Sequence, residues 1–205
     1  MFFVAGDPVE LGLVASVNRP GGNLTGMTTL SLEVGPKRLE LLHQMVPTAT
    51  KIGLLVNPTS RNLAEAQTRD LRAAARIFGL EIHVLHASGD GDLDNVFASL
   101  ARLQISGLVI SADSFLWSRR EQLGALAARY AMPAIYPFRE HTEAGGLMSY
   151  GGNLSDSYRL TGTYAGRVLK DRQGTRPDCS AGASRGCRRG DRVRVLLHLL
   201  MTAYG

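Results

Sequence analysis

Short apolar segments alternate with amphipathic stretches over most of the chain. Six segments have the length and the apolar content of buried strands: 2–5, 52–56, 82–85, 108–110, 134–136 and 147–150. Four stretches between them carry apolar residues at helical spacing: 35–47, 64–79, 93–103 and 118–130. This alternation predicts an α/β fold in which helices cover both faces of a parallel sheet.

Individual residues indicate where three of the helices begin or end. Pro36 suits the first turn of the first long helix, and Gly79 suits the left-handed position that closes the second. The sequence Ser118-Arg-Arg-Glu121 has the spacing of a capping box, in which the serine and the glutamate bond reciprocally to the backbone. We therefore expect the fourth helix to begin at Ser118.

Composition and charge limit the classes of protein that this chain can belong to. With 205 residues, 44% of them hydrophobic, the chain can form one large domain or two small ones, and it is too apolar to be disordered throughout. No apolar run reaches the roughly 18–20 residues of a membrane span. Seven arginines and three aspartates between 171 and 205 supply +4 of the net charge of +5, so the rest offers no broad basic face for nucleic acid.

In an open parallel sheet, ligands bind beyond the carboxyl ends of the strands. The loops at these ends begin at Gly6, Asn57, Ser111, Pro137 and Gly151 and are rich in hydrogen-bonding side chains. The loop at Asn57 leads into a helix N-terminus, which favours a carboxylate or a phosphate, and Asp113 and Glu140 could receive an ammonium group. A zwitterion such as an amino acid fits both ends, with aromatic residues packing its side chain. The same loops also suit ordinary turns and helix starts.

Motifs that carry catalysis are absent from the sequence. The glycine-rich phosphate loops and the nucleophile elbow do not occur, and the histidines at 43, 83, 86 and 141 have no neighbours at metal-ligand spacing. Both cysteines, Cys179 and Cys187, lie in the last 35 residues, which excludes a disulfide scaffold and a cysteine nucleophile from the rest. We therefore predict no catalytic residue, no metal site and no cofactor.

Four segments closely resemble the substrate-binding proteins of ABC transporters. They are VAGDPVELGLVASVNRPGGNLTGMTTL, GPKRLELLHQMVPTATKIGLLVNPTS, GLVISADSFLWSRREQLGALAARYAMPAIY and EAGGLMSYGGNLSDSYRLTGTYAGRVLK. The resemblance runs in order from about residue 2 to 170. It implies a type I periplasmic-binding fold, in which two doubly wound α/β lobes close on a small solute.

The resemblance also implies a division of the chain. Residues 1–31 correspond to part of the first lobe with a crossing segment, 32–150 to a nearly complete second lobe, and 151–170 to a helix that returns to the first lobe. Residues 171–205 depart from the family and are expected to form a disordered basic tail. The family's export signal and first strands have no counterpart before Phe2, so we expect a truncated, frame-shifted copy of a binding protein.

Ligand contacts in the family come from loop ends of both lobes. The positions that match are Asp7, Pro8, Asn57, Thr59, Ser60, Asn62, Asp113, Ser114, Phe115, Tyr136, Glu140 and Tyr150. The function implied is that of the solute-binding component of an ABC importer, which binds an amino acid or a similar carboxylate and presents it to a membrane permease, without nucleic acid. The family acts in the periplasm, whereas the chain as written carries no signal peptide and would stay in the cytoplasm.

Two other functions remain open from the residues alone. A ligand-sensing module of a transcription regulator shares the fold, but it requires a DNA-binding domain ahead of the body. A doubly wound α/β enzyme would use Asp7, Asp113 or Glu140 as acid–base groups, and the missing catalytic motifs argue against it.

Overall fold

The computed structural model describes residues 1–4, 6–17, 19, 21–29 and 31–174. These residues form two compact units. One contains the described residues up to Thr29 and those from Ser155 onward, and the other contains 31–154. The domain boundaries implied by the resemblance stay predictions, and most of the predicted tail lies outside the described residues.

The first unit contains two short parallel strands and a helix. Strand β1 (Phe2–Val4) pairs with β2 (Gly26–Thr28), and Phe3 lies opposite Met27. The Phe3 ring lies 4.8 Å from the Tyr158 ring, and the Thr161 hydroxyl donates to the Met27 sulfur at 3.1 Å. Tyr158 and Thr161 belong to a helix that spans Leu154–Gly174, so this helix packs on both strands.

The second unit is built on a five-stranded parallel sheet. Its strands are β3 (Lys51–Val56), β4 (Glu81–His86), β5 (Gly107–Ile110), β6 (Ala134–Tyr136) and β7 (Met148–Ser149), in the spatial order β4-β3-β5-β6-β7. Its helices are α1 (Gly35–Met45), α2 (Arg61–Phe78), α3 (Asp90–Leu100), α4 (Ser114–Ser118), α5 (Arg120–Arg129) and α6 (Arg139–Glu143), and the helix from Leu154 is α7. The predicted α/β class with doubly wound parallel strands is confirmed for this unit.

Two apolar cores lie on opposite faces of the sheet. Helices α1 and α2 cover one face, where Leu39, Leu42 and Leu71 pack against Ile52 and Leu54. The other face holds Leu55, Leu93, Phe97, Leu116 and Leu123, so α3, α4 and α5 cover it. Strands β3 and β5 contribute to both cores, which explains their uninterrupted apolar sequences.

Two short helices and one helix start differ from the sequence prediction. Helices α4 and α6 occupy segments predicted as loops. The predicted capping box at Ser118 is wrong: α5 begins at Arg120, and its N-cap residue Arg119 makes no side-chain cap bond. The Ser118 hydroxyl instead donates to the Phe115 carbonyl at 2.7 Å, because Ser118 ends α4.

Helix α7 also differs in length from the prediction. It continues through Gly174, four residues into the segment expected to be a disordered tail. Among the described residues, no helix combines the length and the hydropathy that a membrane crossing requires.

Candidate functional site

A buried polar pair joins the carboxyl ends of the two central strands. Strands β3 and β5 run side by side, with Leu55 opposite Ile110. Asn57 follows the first strand and Asp113 follows the second, and the Asn57 amide nitrogen donates to the Asp113 Oδ1 at 3.0 Å. Both residues are buried. The expectation that loops at the carboxyl edge converge is met for these two segments.

The Asp113 carboxylate organises the segments around it. Its Oδ1 also accepts from the backbone N–H groups of Phe115 and Leu116, at 2.9 and 3.4 Å, so it caps α4. Its Oδ2 accepts from the Ser60 hydroxyl at 2.7 Å. These bonds hold the carboxylate between α4 and the start of α2. An ammonium group that contacts Asp113, as predicted, must therefore bind a carboxylate that already accepts four hydrogen bonds.

Polar groups lie around this buried pair. The Asn57 Oδ1 accepts from the backbone N–H and the hydroxyl of Thr59, at 3.0 and 2.7 Å, which fixes the turn that leads into α2. Thr59, Asn62 and Ser114 are exposed, whereas Ser60 is half-buried. The loop ends thus present hydroxyl and amide groups to solvent above a rigid base.

The start of α2 has no side-chain cap. Ser60 occupies the N-cap position, but its hydroxyl donates to Asp113 and makes no bond to the first turn. An eighteen-residue helix carries partial positive charge at such an end. This end lies beside the polar groups of Thr59 and Asn62, as expected for a place that attracts a carboxylate.

Helix α4 carries two aromatic rings, each with an arginine side chain beside it. The Arg119 guanidinium carbon lies 5.9 Å from the centre of the half-buried Phe115 ring, and the Arg119 Nε bonds to Asp90 at 2.6 Å. Trp117 lies two residues further along α4, with the Arg120 guanidinium carbon 4.8 Å from its ring centre. Helix α4 therefore joins the Asp113 cap to a partly exposed aromatic surface.

Tyr136 ends β6 at the carboxyl edge of the sheet, but its side chain packs into the core. Its side chain is fully buried, its ring stacks on His141 at 5.1 Å, and its hydroxyl donates to the Leu123 carbonyl at 3.4 Å. Burial raises the pKa of the Tyr136 phenol well above its ordinary value. The geometry gives the predicted ligand contact of Tyr136 no support, because both faces of β6 are covered by core residues.

Glu140 and Tyr150 hold neighbouring loops in place. The Glu140 Oε1 accepts from the backbone N–H of Leu154 at 3.1 Å and so anchors the beginning of α7. Tyr150 is half-buried, and its backbone N–H donates to the Tyr136 carbonyl at 3.0 Å. Both residues lie beyond the carboxyl ends of β6 and β7, as predicted.

Asp7 and Pro8 belong to the first unit, just after β1. The Asp7 Oδ1 accepts from the Val9 backbone N–H at 2.7 Å, which stabilises the turn, and Pro8 is buried. This arrangement is an ordinary turn. The part of these residues in ligand binding stays a prediction.

Arg38 is a positioning residue that the sequence reasoning missed. It is 1% exposed on α1, where its guanidinium donates to the Ser31 carbonyl at 2.7 Å and to the Tyr150 carbonyl at 3.1 Å. One side chain thus ties the segment before α1 to the loop after β7. The signal was its spacing, since Arg38 precedes the buried Leu42 by four residues and shares its helix face.

Replacing Arg38 with lysine is expected to lower the free energy of unfolding by about 2 kcal/mol. An ammonium group keeps the charge but cannot span two carbonyls as a planar guanidinium does, so one buried acceptor loses its donor. Urea unfolding followed by circular dichroism measures the change. The matched control is Lys37→Arg on the exposed side of α1, with an expected change below about 0.5 kcal/mol. Equal stability of both variants would contradict the role of Arg38.

Within the described residues, no group of three or more histidine, cysteine, aspartate or glutamate side chains could hold a metal ion. The second unit is a parallel α/β domain whose strand ends carry a braced polar cluster. This architecture is typical of a domain that binds a small solute.

Comparisons with known proteins agree with this class. The tyrosine-binding protein of Clostridioides difficile (strain R20291) is 30% identical over 165 residues, which are 80% of this chain and 46% of that protein. A conserved domain protein from Vibrio cholerae O1 biovar eltor strain N16961 has a TM-score of 0.69 at 24% identity, over 80% of this chain and 54% of that one. An ABC domain from Streptococcus pneumonia in complex with L-Trp has a TM-score of 0.66 at 22% identity, with the same coverage.

The family model for ABC transporter substrate-binding proteins matches residues 1–179, and the chain belongs to this family. The match extends nine residues beyond the end at Lys170 that the resemblance suggested. The family and the named relative are substrate-binding proteins, not enzymes. The chain spans about half the length of the relatives it matches.

Proposed function

We propose that this chain serves as the solute-binding component of an ABC importer and takes an amino acid between two lobes. The observation that carries the proposal is the cluster of Asn57, Ser60 and Asp113, whose hydrogen bonds of 2.7–3.0 Å brace the carboxyl ends of the central strands. A braced base keeps the exposed polar groups above it in a fixed arrangement. Fixed donors and acceptors lower the cost of ordering a small polar solute.

The proposed ligand is a zwitterion with an aromatic side chain. The uncapped start of α2, with Thr59 and Asn62, supplies positive potential and hydrogen bonds for a carboxylate. Phe115 supplies an aromatic surface for the ligand's ring. The tyrosine-binding relative and the structure with bound L-Trp support this ligand class.

The remaining predicted residues are assigned by their positions. Ser114 and Tyr150 stand at the rim, Glu140 is proposed to face the ammonium group, and Asp7 and Pro8 are proposed to contribute from the first lobe. Tyr136 contributes through the core that supports this edge. The partner that receives the solute is an ABC permease, and the place of action is the periplasm or the outer face of the membrane.

Isothermal titration calorimetry and thermal unfolding with matched compounds test the proposal. L-tyrosine and L-tryptophan should bind, and a ligand at about 100 times its Kd should add about 2.7 kcal/mol to the free energy of unfolding. Tyramine, which lacks the carboxylate, and 3-(4-hydroxyphenyl)propionate, which lacks the ammonium group, should each bind much more weakly. No heat and no thermal shift with any amino acid would overturn the proposal for this chain.

Variants at exposed positions locate the site without disturbing the fold. Asn62→Ala should raise the Kd for L-tyrosine about tenfold, through loss of a hydrogen bond to a charged group. The control Asn95→Ala removes an equally exposed amide from α3 and should leave the Kd unchanged. If both variants bound equally well, the site would not lie at the start of α2.

A further inference from the structure

A groove runs between α2 and the free edge of the sheet, beside the site described above. Its volume is about 680 Å³, and it contains none of the twelve predicted site residues. Val56, Val84 and His86 line it from the strands. Val84 and His86 belong to β4, which is the outermost strand of the sheet. The groove therefore combines an apolar wall with the edge of a strand.

Three arginines of α2 line the opposite side. Arg69, Arg72 and Arg76 follow one another at spacings of three and four residues, so they share one helix face. Arg69 pairs with its neighbour Asp70 at 3.0 Å. Arg72 and Arg76 are exposed and form no ion pair or side-chain hydrogen bond with any residue that the structure describes. With Glu65 as the one acidic residue among its lining residues, the groove carries a positive charge.

The outer edge of β4 offers backbone hydrogen bonds beside these charges. The N–H groups of Glu81 and Ala87 point inward and donate to the carbonyls of Thr50 and Val56, at 2.9 and 3.1 Å. In a parallel ladder the direction alternates, so the N–H groups of Ile82, Val84 and His86 point away from β3. Within the described part of the chain, β4 pairs with β3 alone. An edge of this kind is a template for an added strand.

We propose that this groove binds an extended, acidic peptide segment of a partner protein. The segment adds to the outer edge of β4 through its backbone, and its alternate carboxylates pair with Arg72 and Arg76. Arginine suits this task because its planar group binds a carboxylate through two parallel hydrogen bonds. The half-buried Val84 in the apolar wall accommodates small apolar side chains of the segment.

Charge disfavours two occupants from this protein itself. The chain's own segment 171–205 carries seven arginines and three aspartates, so the arginines of the groove repel it. A symmetric contact between two copies would place the same arginines opposite each other. An acidic partner meets neither obstacle.

Fluorescence anisotropy with short labelled peptides on the full chain tests the proposal. The probe is a blocked eight-residue peptide of alternating valine and glutamate. Two further probes are the valine–lysine peptide and a valine–glutamate peptide N-methylated at every second residue, which keeps the charge and loses strand pairing. We expect the first probe to bind and the other two to bind at least about tenfold more weakly.

The double variant Arg72→Glu/Arg76→Gln should weaken binding of the acidic probe about tenfold or more. Its matched control is Arg102→Glu/Arg129→Gln, which alters an exposed arginine and, like Arg76, an arginine in the last turn of a helix. The control should bind like the unaltered protein, and thermal unfolding checks that both variants fold.

Three results would overturn the proposal. One is an acidic probe that does not bind the unaltered protein, or that binds the double variant and the control variant equally well. Another is an N-methylated probe that binds as tightly as the unmodified one. The third is a better occupant, shown by tighter binding of a labelled oligonucleotide or by dimers in sedimentation that the double variant abolishes. Amino-acid binding at the site above is measured separately, so failure of one proposal leaves the other intact.

Discussion

Replacing Asp113 with alanine is expected to lower the free energy of unfolding by about 2–4 kcal/mol. The variant removes the cap of α4, worth about 1 kcal/mol. It also leaves Asn57 and Ser60 without the acceptor to which they donate, and Asn57 is buried. An unsatisfied buried group costs about 1–3 kcal/mol. Urea unfolding of the purified variant gives the difference.

Two companion variants make this result specific to the hydrogen bonds. Asp113→Asn keeps an acceptor for the N-terminal turn of α4 and should recover about half of the loss. Asp94→Ala removes an exposed aspartate from α3 and should change the stability by less than about 0.5 kcal/mol. A loss below 1 kcal/mol for Asp113→Ala would mean that the strand ends do not depend on this carboxylate.

The stability of the fold is expected to fall by about 3 kcal/mol through His141 alone as the pH drops from 6.5 to 4. His141 is fully buried, with its ring stacked on Tyr136 and 6.1 Å from the Phe138 ring. Burial lowers the pKa of His141 from 6.5 to about 4; the Phe138 carbonyl and Glu140 raise it in part, and Arg120 lowers it slightly. Because each unit of difference is worth about 1.4 kcal/mol, the shift corresponds to the stated loss.

The sign follows from which state binds the proton first. Between pH 6.5 and 4 the unfolded chain takes up a proton on this imidazole while the folded chain does not, so protonation favours unfolding. Above pH 6.5 His141 causes no loss of folding stability, and below about pH 4 the loss levels off.

Replacing His141 alone separates this contribution from that of the carboxylates. His141→Phe keeps an aromatic ring in the core but cannot be protonated, so the gap in stability between pH 7.5 and 4 should shrink by about 3 kcal/mol relative to the unaltered protein. The exposed His86→Gln serves as the control and should leave the gap unchanged. Equal pH dependence of all three proteins would show that His141 is not held neutral.

Periodicity alone predicts the elements that bury a long apolar face. The strands at 52–56 and 108–110 and the helix ending at Gly79 were predicted within a few residues, because their apolar runs or stripes extend over whole elements. Helices α4 and α6 have five residues each, little more than one turn, which leaves no period to detect. The predicted start of α5 at Ser118 is wrong because Ser118 is the last residue of α4, where its hydroxyl donates to the Phe115 carbonyl.

The candidate site was predictable in position but not in detail. The rule that loops converge at carboxyl ends brings Asn57 and Asp113 together without any knowledge of side chains. It does not say which way a side chain on a doubly covered strand points. Tyr136 and Ile135 face opposite cores, so alternation cannot assign Tyr136 to a ligand. The role of Arg38 was not predicted because it depends on two carbonyl acceptors outside the helix. Ser31 precedes α1, and Tyr150 lies 112 residues further along the chain.

The placement of Trp117 on α4 makes this protein suited to measurements of intrinsic tryptophan fluorescence. It is the single tryptophan of the chain, and it lies on the short helix whose first turn is capped by Asp113. Its indole is half-buried and rests against the Arg120 guanidinium, an environment whose polarity changes when α4 shifts. Emission from one intrinsic fluorophore therefore reports on the carboxyl edge of the sheet directly, without a dye or an engineered label.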